Sequence, residues 1–188
     1  MLNKYTCLEK LAARRQDEVI ITCMSTAKPW EKLSDTEFDF ASVDSAMGHA
    51  ADLALGIAIA QPEKRVITLN GDGSMLMCLG TFVTIAQRPC SNYAMVIFEN
   101  GTYEVTGNQS VPGSTIVDYE TVAKASGIEK TYTVDSESDF ESRLSQVFEQ
   151  PGPVVFIWKV EPGSEPVPSF KKTLAERVER LRKALVYK

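Results

Sequence analysis

The sequence predicts an α/β fold, a three-layer sandwich with a mainly parallel central sheet, built as one domain over residues 1–188 and ending in a helix at 170–186. Three observations carry that expectation. Compact apolar runs recur at 19–24, 65–69, 93–98 and 154–160, as in strands covered on both faces. Helical segments separate these runs, and strand–helix alternation favours a parallel sheet with helices on both sides. Polar turns containing glycine follow the 65–69 and 93–98 runs, at the strand ends where such sheets bind ligands.

The elements are expected in this order. Residues 8–15 form a short leading helix and 19–24 the first strand. Residues 25–38 are polar and interrupted by Lys28-Pro29, so they read as a loop or a short helical turn. A short strand at 38–42 precedes an Ala- and Leu-rich buried helix at 46–60, which stops before Pro62. Strand 65–69 leads into helix 74–87, which ends before Pro89, and strand 93–98 follows. Residues 100–115 are rich in Gly, Asn, Ser and Thr and read as a long functional loop. Then come a helix at 119–125 closed by Gly127, a strand at 131–134, a capped helix at 138–148 and the last buried strand at 154–160. A Pro/Gly tether at 161–168 joins the charged amphipathic C-terminal helix.

Composition excludes several functions. With 44% apolar and 24% charged residues the chain reads as a soluble globular protein. A net charge of −5 argues against a nucleic-acid surface, and the pairs Arg14-Arg15 and Lys171-Lys172 suit solvated helix faces. The four cysteines show no C-x-x-C spacing and there is one histidine, which argues against a zinc or iron–sulfur site. They read as reduced thiols of a cytoplasmic protein. Neither an apolar leader nor a membrane-length apolar segment is apparent.

The chemistry concentrates in N-G-D-G-S at 70–74 and F-E-N-G-T-Y-E-V-T-G-N-Q at 98–109. Two polar turns at the ends of two buried strands can face one another across a sheet edge. One offers the Asp72 carboxylate and the other the Asn100 amide oxygen, a pairing that suits a hard divalent cation such as magnesium against a phosphate. Gly71 and Gly73 let backbone approach that phosphate, and Ser74 opens a helix whose first amides attract anions. Each residue also has a plainer reading. Asp72 and Asn100 can be turn residues, Met47 core, and Ser74 a helix cap. His49 can be structural or can approach a substrate. Thr106 and Gln109 can line a pocket or only hold the loop, and Tyr103 can stack near a cofactor or pack in an interface.

G-D-G-S followed by E-N-G resembles the thiamine-diphosphate motif of the pyrophosphate-binding domain of thiamine-dependent decarboxylases and synthases. A-M-G-H-A-x-x-x-A-L-G at 46–56 resembles the helix start that precedes it in that family. T-G-N-Q and M-G-H-A are similar to the sulfopyruvate and phosphonopyruvate decarboxylase group. The resemblance implies thiamine diphosphate and Mg2+ as cofactors. It makes Asp72 and Asn100 side-chain ligands of the metal and Thr102 a backbone-carbonyl ligand. Gly71, Gly73 and Ser74 would hold the diphosphate, Met47 would wedge the thiazolium ring, the Ser45 carbonyl would meet the aminopyrimidine, and Tyr103 would border the cofactor. His49 would be the catalytic candidate. The activating glutamate belongs to a pyrimidine-binding domain for which this chain has no room, so the resemblance implies a separate alpha subunit, in an alpha2beta2 or larger hetero-oligomer. The implied activity is decarboxylation of a 2-oxo acid of the 3-sulfopyruvate or phosphonopyruvate kind. The alternatives are an acetolactate-synthase-like carboligase subunit, or a non-catalytic cofactor-binding or regulatory subunit. Three departures from the family pattern stand out. Glu99 replaces a usual Asn or Asp, Glu104-Val105 places an acid where it would repel an anionic substrate, and 25–32 lacks a glycine turn.

Overall fold

The computed structural model describes residues 1–41, 47–163 and 170–186. The strands of the main sheet are β1 (Val19–Thr22), β2 (Asp39–Ala41), β3 (Val66–Gly71), β4 (Tyr93–Glu99), β7 (Thr131–Val134) and β8 (Val154–Lys159). They lie in the order β2-β1-β3-β4-β8-β7, and every pairing is parallel. Two short strands, β5 (Thr102–Tyr103) and β6 (Gln109–Ser110), form an antiparallel ribbon after β4. The helices are α1 (Lys4–Arg14), α2 (Ala27–Leu33), α3 (Ala50–Ala60), α4 (Asp72–Met77), α5 (Thr81–Gln87), α6 (Tyr119–Ala125), α7 (Glu137–Glu149) and α8 (Leu174–Val186).

Strand pleating divides the core into two. Val19, Ile21, Val66, Met95 and Ile97 face α3, α5, α6 and α8, where they meet Ala54, Phe82, Ala123 and Leu181. Ile20, Ile67, Leu69, Val96 and Phe98 face α1, α2 and α7, against Leu8, Trp30 and Phe140. Both faces of the sheet are therefore covered, as the unbroken apolar runs predict. Each fully buried aliphatic or aromatic side chain contributes about 1.5–3 kcal/mol. Among the described residues no helix is long and apolar enough to cross a membrane. All four cysteines are free.

The chain leaves β1 toward β2 on one side and leaves β3 toward β4 on the other. Connections that diverge in this way open a crevice at the carboxyl ends of β1 and β3, where open α/β sheets bind ligands.

Several local expectations change. The leading helix begins at Lys4 because Asn3 caps it, its side chain accepting the Tyr5 and Thr6 amides at 3.0 Å. Residues 27–33 form a helix despite Pro29, which falls in the first turn, where an amide has no helical partner to lose. The expected 74–87 helix is two helices. Cys78 leaves helical geometry (φ −135°, ψ 47°), and the chain restarts at Thr81, whose hydroxyl donates to Asp52 of α3 at 2.6 Å. The helix expected from 46 begins at Ala50, after a turn at Met47–Gly48. The 100–115 loop contains the β5–β6 ribbon, which pins it in place.

Candidate active site

The crevice holds a cavity of about 250 Å³ lined by Met47, Gly71, Asp72, Gly73, Ser74, Asn100, Thr102 and Tyr103, together with Met24, Glu104 and Thr106. Eight of the sequence-derived candidates thus meet in one place, drawn from the ends of β3 and β4 and the turn before α3. Ser45 lies outside the described residues. Gln109 is exposed and bonds Thr106, as the loop-holding reading has it.

Asp72 is the centre of the arrangement. Its Oδ1 accepts the Gly73 amide at 2.8 Å and its Oδ2 accepts the Gly101 amide at 2.7 Å, so the turn after β3 is bound to the turn after β4. Asp72 is buried, and none of the ion pairs among the described residues involves it. Burial raises its pKa, and the Gly101 and Gly73 amides oppose that shift. A buried carboxylate held by neutral donors has spare lone pairs and no counter-charge of its own. Tyr119, itself buried, donates its hydroxyl to the Asp72 carbonyl at 2.9 Å.

Asn100 stands beside this carboxylate. Its Oδ1 accepts the Thr102 amide at 2.9 Å and its Nδ2 donates to Glu104 at 2.9 Å. Val111 donates to the Gly101 carbonyl at 2.9 Å, so Thr102 and Ser110 oppose one another as a pair without mutual backbone bonds. The amide and carbonyl of Thr102 then point away from β6, on the side of the Asn100 oxygen. The donor set is a carboxylate, a carboxamide oxygen and a peptide carbonyl, all hard oxygens of the kind magnesium takes. Among the described residues no group of three or more His, Cys, Asp or Glu side chains is placed to hold a metal ion.

Gly73 has no room for a side chain: a Cβ there would lie 2.4 Å from the Tyr103 ring. The ring rests on bare backbone and forms part of the cavity wall. Gly48, at φ +87°, is equally constrained, since a Cβ would lie 2.5 Å from Cys78 Sγ. Its amide donates to Ser74 Oγ at 2.7 Å, which ties the Met47–Gly48 turn to the start of α4. Ser74 therefore orients Met47, a task the motif alone did not reveal. Below it, Asn70 Oδ1 accepts from Cys23 Sγ at 3.0 Å and from the Gly71 amide at 3.0 Å. Met24, which also lines the cavity, sits at φ +50°, a strained value for a non-glycine residue and a frequent mark of functional sites.

His49 does not line the cavity. Its ring is exposed, with Nδ1 2.9 Å from Asp52 Oδ2 and Nε2 3.8 Å from Cys78 Sγ. Glu104, expected to repel an anionic substrate, is instead neutralised from within. It pairs with Lys4, the two side chains being 6% and 1% exposed. Lys4 reaches it because Leu2 bridges to Val160 beyond β8, which sets the start of α1 at the carboxyl edge of the sheet. Sequence reasoning missed Lys4, Tyr119, Asn70 and Met24. Only Asn70, next to Gly71-Asp72, carried a local signal.

The chain belongs to the thiamine pyrophosphate enzymes: the family's C-terminal TPP binding domain matches residues 21–157. It is 32% identical to the sulfopyruvate decarboxylase subunit beta of Methanothermobacter thermautotrophicus, over 97% of this chain and 95% of that one. It is 31% identical to the phosphonopyruvate decarboxylase of Streptomyces viridochromogenes, over 86% of this chain but 40% of the relative. The crystal structure of benzoylformate decarboxylase from Polynucleobacter necessarius superimposes with a TM-score of 0.70 at 20% identity, covering 88% of this chain and 34% of that one. That likeness bears on the fold alone.

Proposed function

We propose that this chain is the diphosphate-binding subunit of a split, magnesium- and thiamine-diphosphate-dependent 2-oxo acid decarboxylase that acts on a 3-sulfopyruvate- or phosphonopyruvate-like substrate. The observation that carries the reading is the 2.7 Å bond between Asp72 and the Gly101 amide, which closes two oxygen-rich turns around one spot. Asp72, the Asn100 oxygen and the Thr102 carbonyl would hold Mg2+. The backbone of Gly71, Gly73 and Ser74 would receive the diphosphate, and Met47, braced through Gly48 and Ser74, would support the thiazolium ring. Tyr103 would wall the site from solvent. Bound thiamine diphosphate supplies the electron sink for loss of carbon dioxide.

The relatives divide by length in a way that supports a second chain. The sulfopyruvate decarboxylase relative matched over 95% of its length is named a beta subunit, whereas this chain spans 40% of the phosphonopyruvate decarboxylase. A pyrimidine-binding alpha subunit would bring the activating glutamate and complete the cavity at a hetero-oligomeric interface. The test is reconstitution with such a subunit. Carbon dioxide release from 3-sulfopyruvate or phosphonopyruvate, absent from either chain alone, is the expected result. Condensation with an added acceptor aldehyde instead would favour the carboligase, and no cofactor binding in either state would favour a non-catalytic module.

A further inference from the structure

Asn100 presents two chemically different ends, and the cavity needs one of them. A carboxamide exchanges its oxygen and nitrogen by a half-turn with little change in shape, so its hydrogen-bond partners decide which end faces where. Here the nitrogen donates to Glu104 Oε2 at 2.9 Å, and a carboxylate paired with an ammonium group can only accept. The oxygen is thereby left to the Thr102 amide, and Asn100 is one of the residues that line the cavity.

Glu104 is itself held from several directions. Oε1 pairs with Lys4, and Oε2 also accepts the Gly163 amide at 3.2 Å. The fit leaves no slack, for a Cβ on Gly163 would lie 2.4 Å from Oε1. The Gly163 carbonyl accepts from Asn108 Nδ2 at 3.0 Å, and Asn108 Oδ1 accepts the Thr102 hydroxyl at 2.8 Å. The chain of contacts starts at Asn100 and ends at Thr102, two of the three residues proposed to hold the cation.

We propose that Glu104, anchored by Lys4, is a positioning residue that fixes the Asn100 carboxamide with its oxygen toward the cation. The inference rests on the reading of Asp72 and Asn100 as ligands. Groups that orient a metal's ligands typically govern about 10–100-fold in metal affinity.

The experiment titrates Mg2+ into the full chain at fixed thiamine diphosphate, by calorimetry, with thermal unfolding measured alongside. Glu104→Gln should raise half-saturating Mg2+ about 10–100-fold, because Lys4 then competes with Asn100 for the single carboxamide oxygen. Adding Lys4→Met removes that competitor, and the double variant should return toward wild type. A lower melting temperature with unchanged Mg2+ dependence would mean a structural role and overturn the proposal, as would no recovery in the double variant. Asp72→Ala separates the two claims. Should it bind Mg2+ and cofactor as wild type does, the ligand reading itself fails. If the chain alone takes up no cofactor, proton exchange of the Asn100 side-chain amide, identified by its loss in Asn100→Asp, gives the answer. Slow exchange in wild type and the double variant with fast exchange in Glu104→Gln supports the proposal, and equal exchange in all three overturns it.

Discussion

The turn after β3 buries Asp72 among amide donors, whereas the ribbon after β4 buries Glu104 against a lysine. The two carboxylates line one cavity. The chain supplies the counter-charge for Glu104 and withholds it from Asp72. A buried charge is costly unless paired, so an acid left without a cationic neighbour is either destabilising or reserved for a cation from outside. An acid with its own lysine is reserved for architecture. Exposure alone does not separate these roles; the partners do.

The comparison can be broken most forcefully at Asp72. Asp72→Ala should abolish Mg2+-dependent binding of thiamine diphosphate while the far-ultraviolet circular dichroism stays native, and calorimetry of the two proteins side by side checks it. Next in size is Lys4→Met. Removing one partner of a buried pair strands the other, so urea unfolding should show a loss of about 3–5 kcal/mol. Asp72→Ala removes no such partner and should cost much less stability, and equal losses in the two variants would erase the distinction drawn here.

Gly73→Ala tests how closely the two turns approach. The added methyl would meet the Tyr103 ring, and overpacking of this kind typically costs about 1–3 kcal/mol. Because the ring is the far end of a side chain, Tyr103→Ala in the same protein should restore part of the loss. Asp35 extends the comparison to the surface. Hydrogen bonds from Lys172 and Arg180 hold its carboxyl at about 2, below its ordinary 3.8. A depressed folded pKa gives stability that is fully present above 3.8 and is lost as pH falls toward 2. Asp35→Asn should therefore flatten the acid limb of the stability curve, by at most about 1 kcal/mol for so exposed a group. The smallest effect is expected at His49, outside the cavity. His49→Gln should leave stability within about 0.5 kcal/mol and cofactor affinity unchanged, and a large loss of affinity would return His49 to the site.

The parallel sheet, both of its covered faces and the two turns that meet were legible along the chain, since unbroken apolar runs and Gly-Asp-Gly and Asn-Gly turns are local signals. The break at Cys78 was not. It depends on Thr81 meeting Asp52 across α3 and α5, and periodicity within a segment cannot report a bond to another helix. Glu104 shows the same limit more sharply: in sequence it is an acid near a proposed anionic substrate, and Lys4 lies 100 residues before it.

Sequence by itself determined which groups line the cavity, because oxygen donors and glycines are properties of the residues at 71–74 and 100–102. Tertiary structure alone decided which acid stays open and which is spent inside the protein. That choice turns on the bridge from Leu2 to Val160, which delivers a lysine from the first helix to the edge of the sheet. Charge compensation acts through space at a few ångströms, and spacing along the chain carries no record of it.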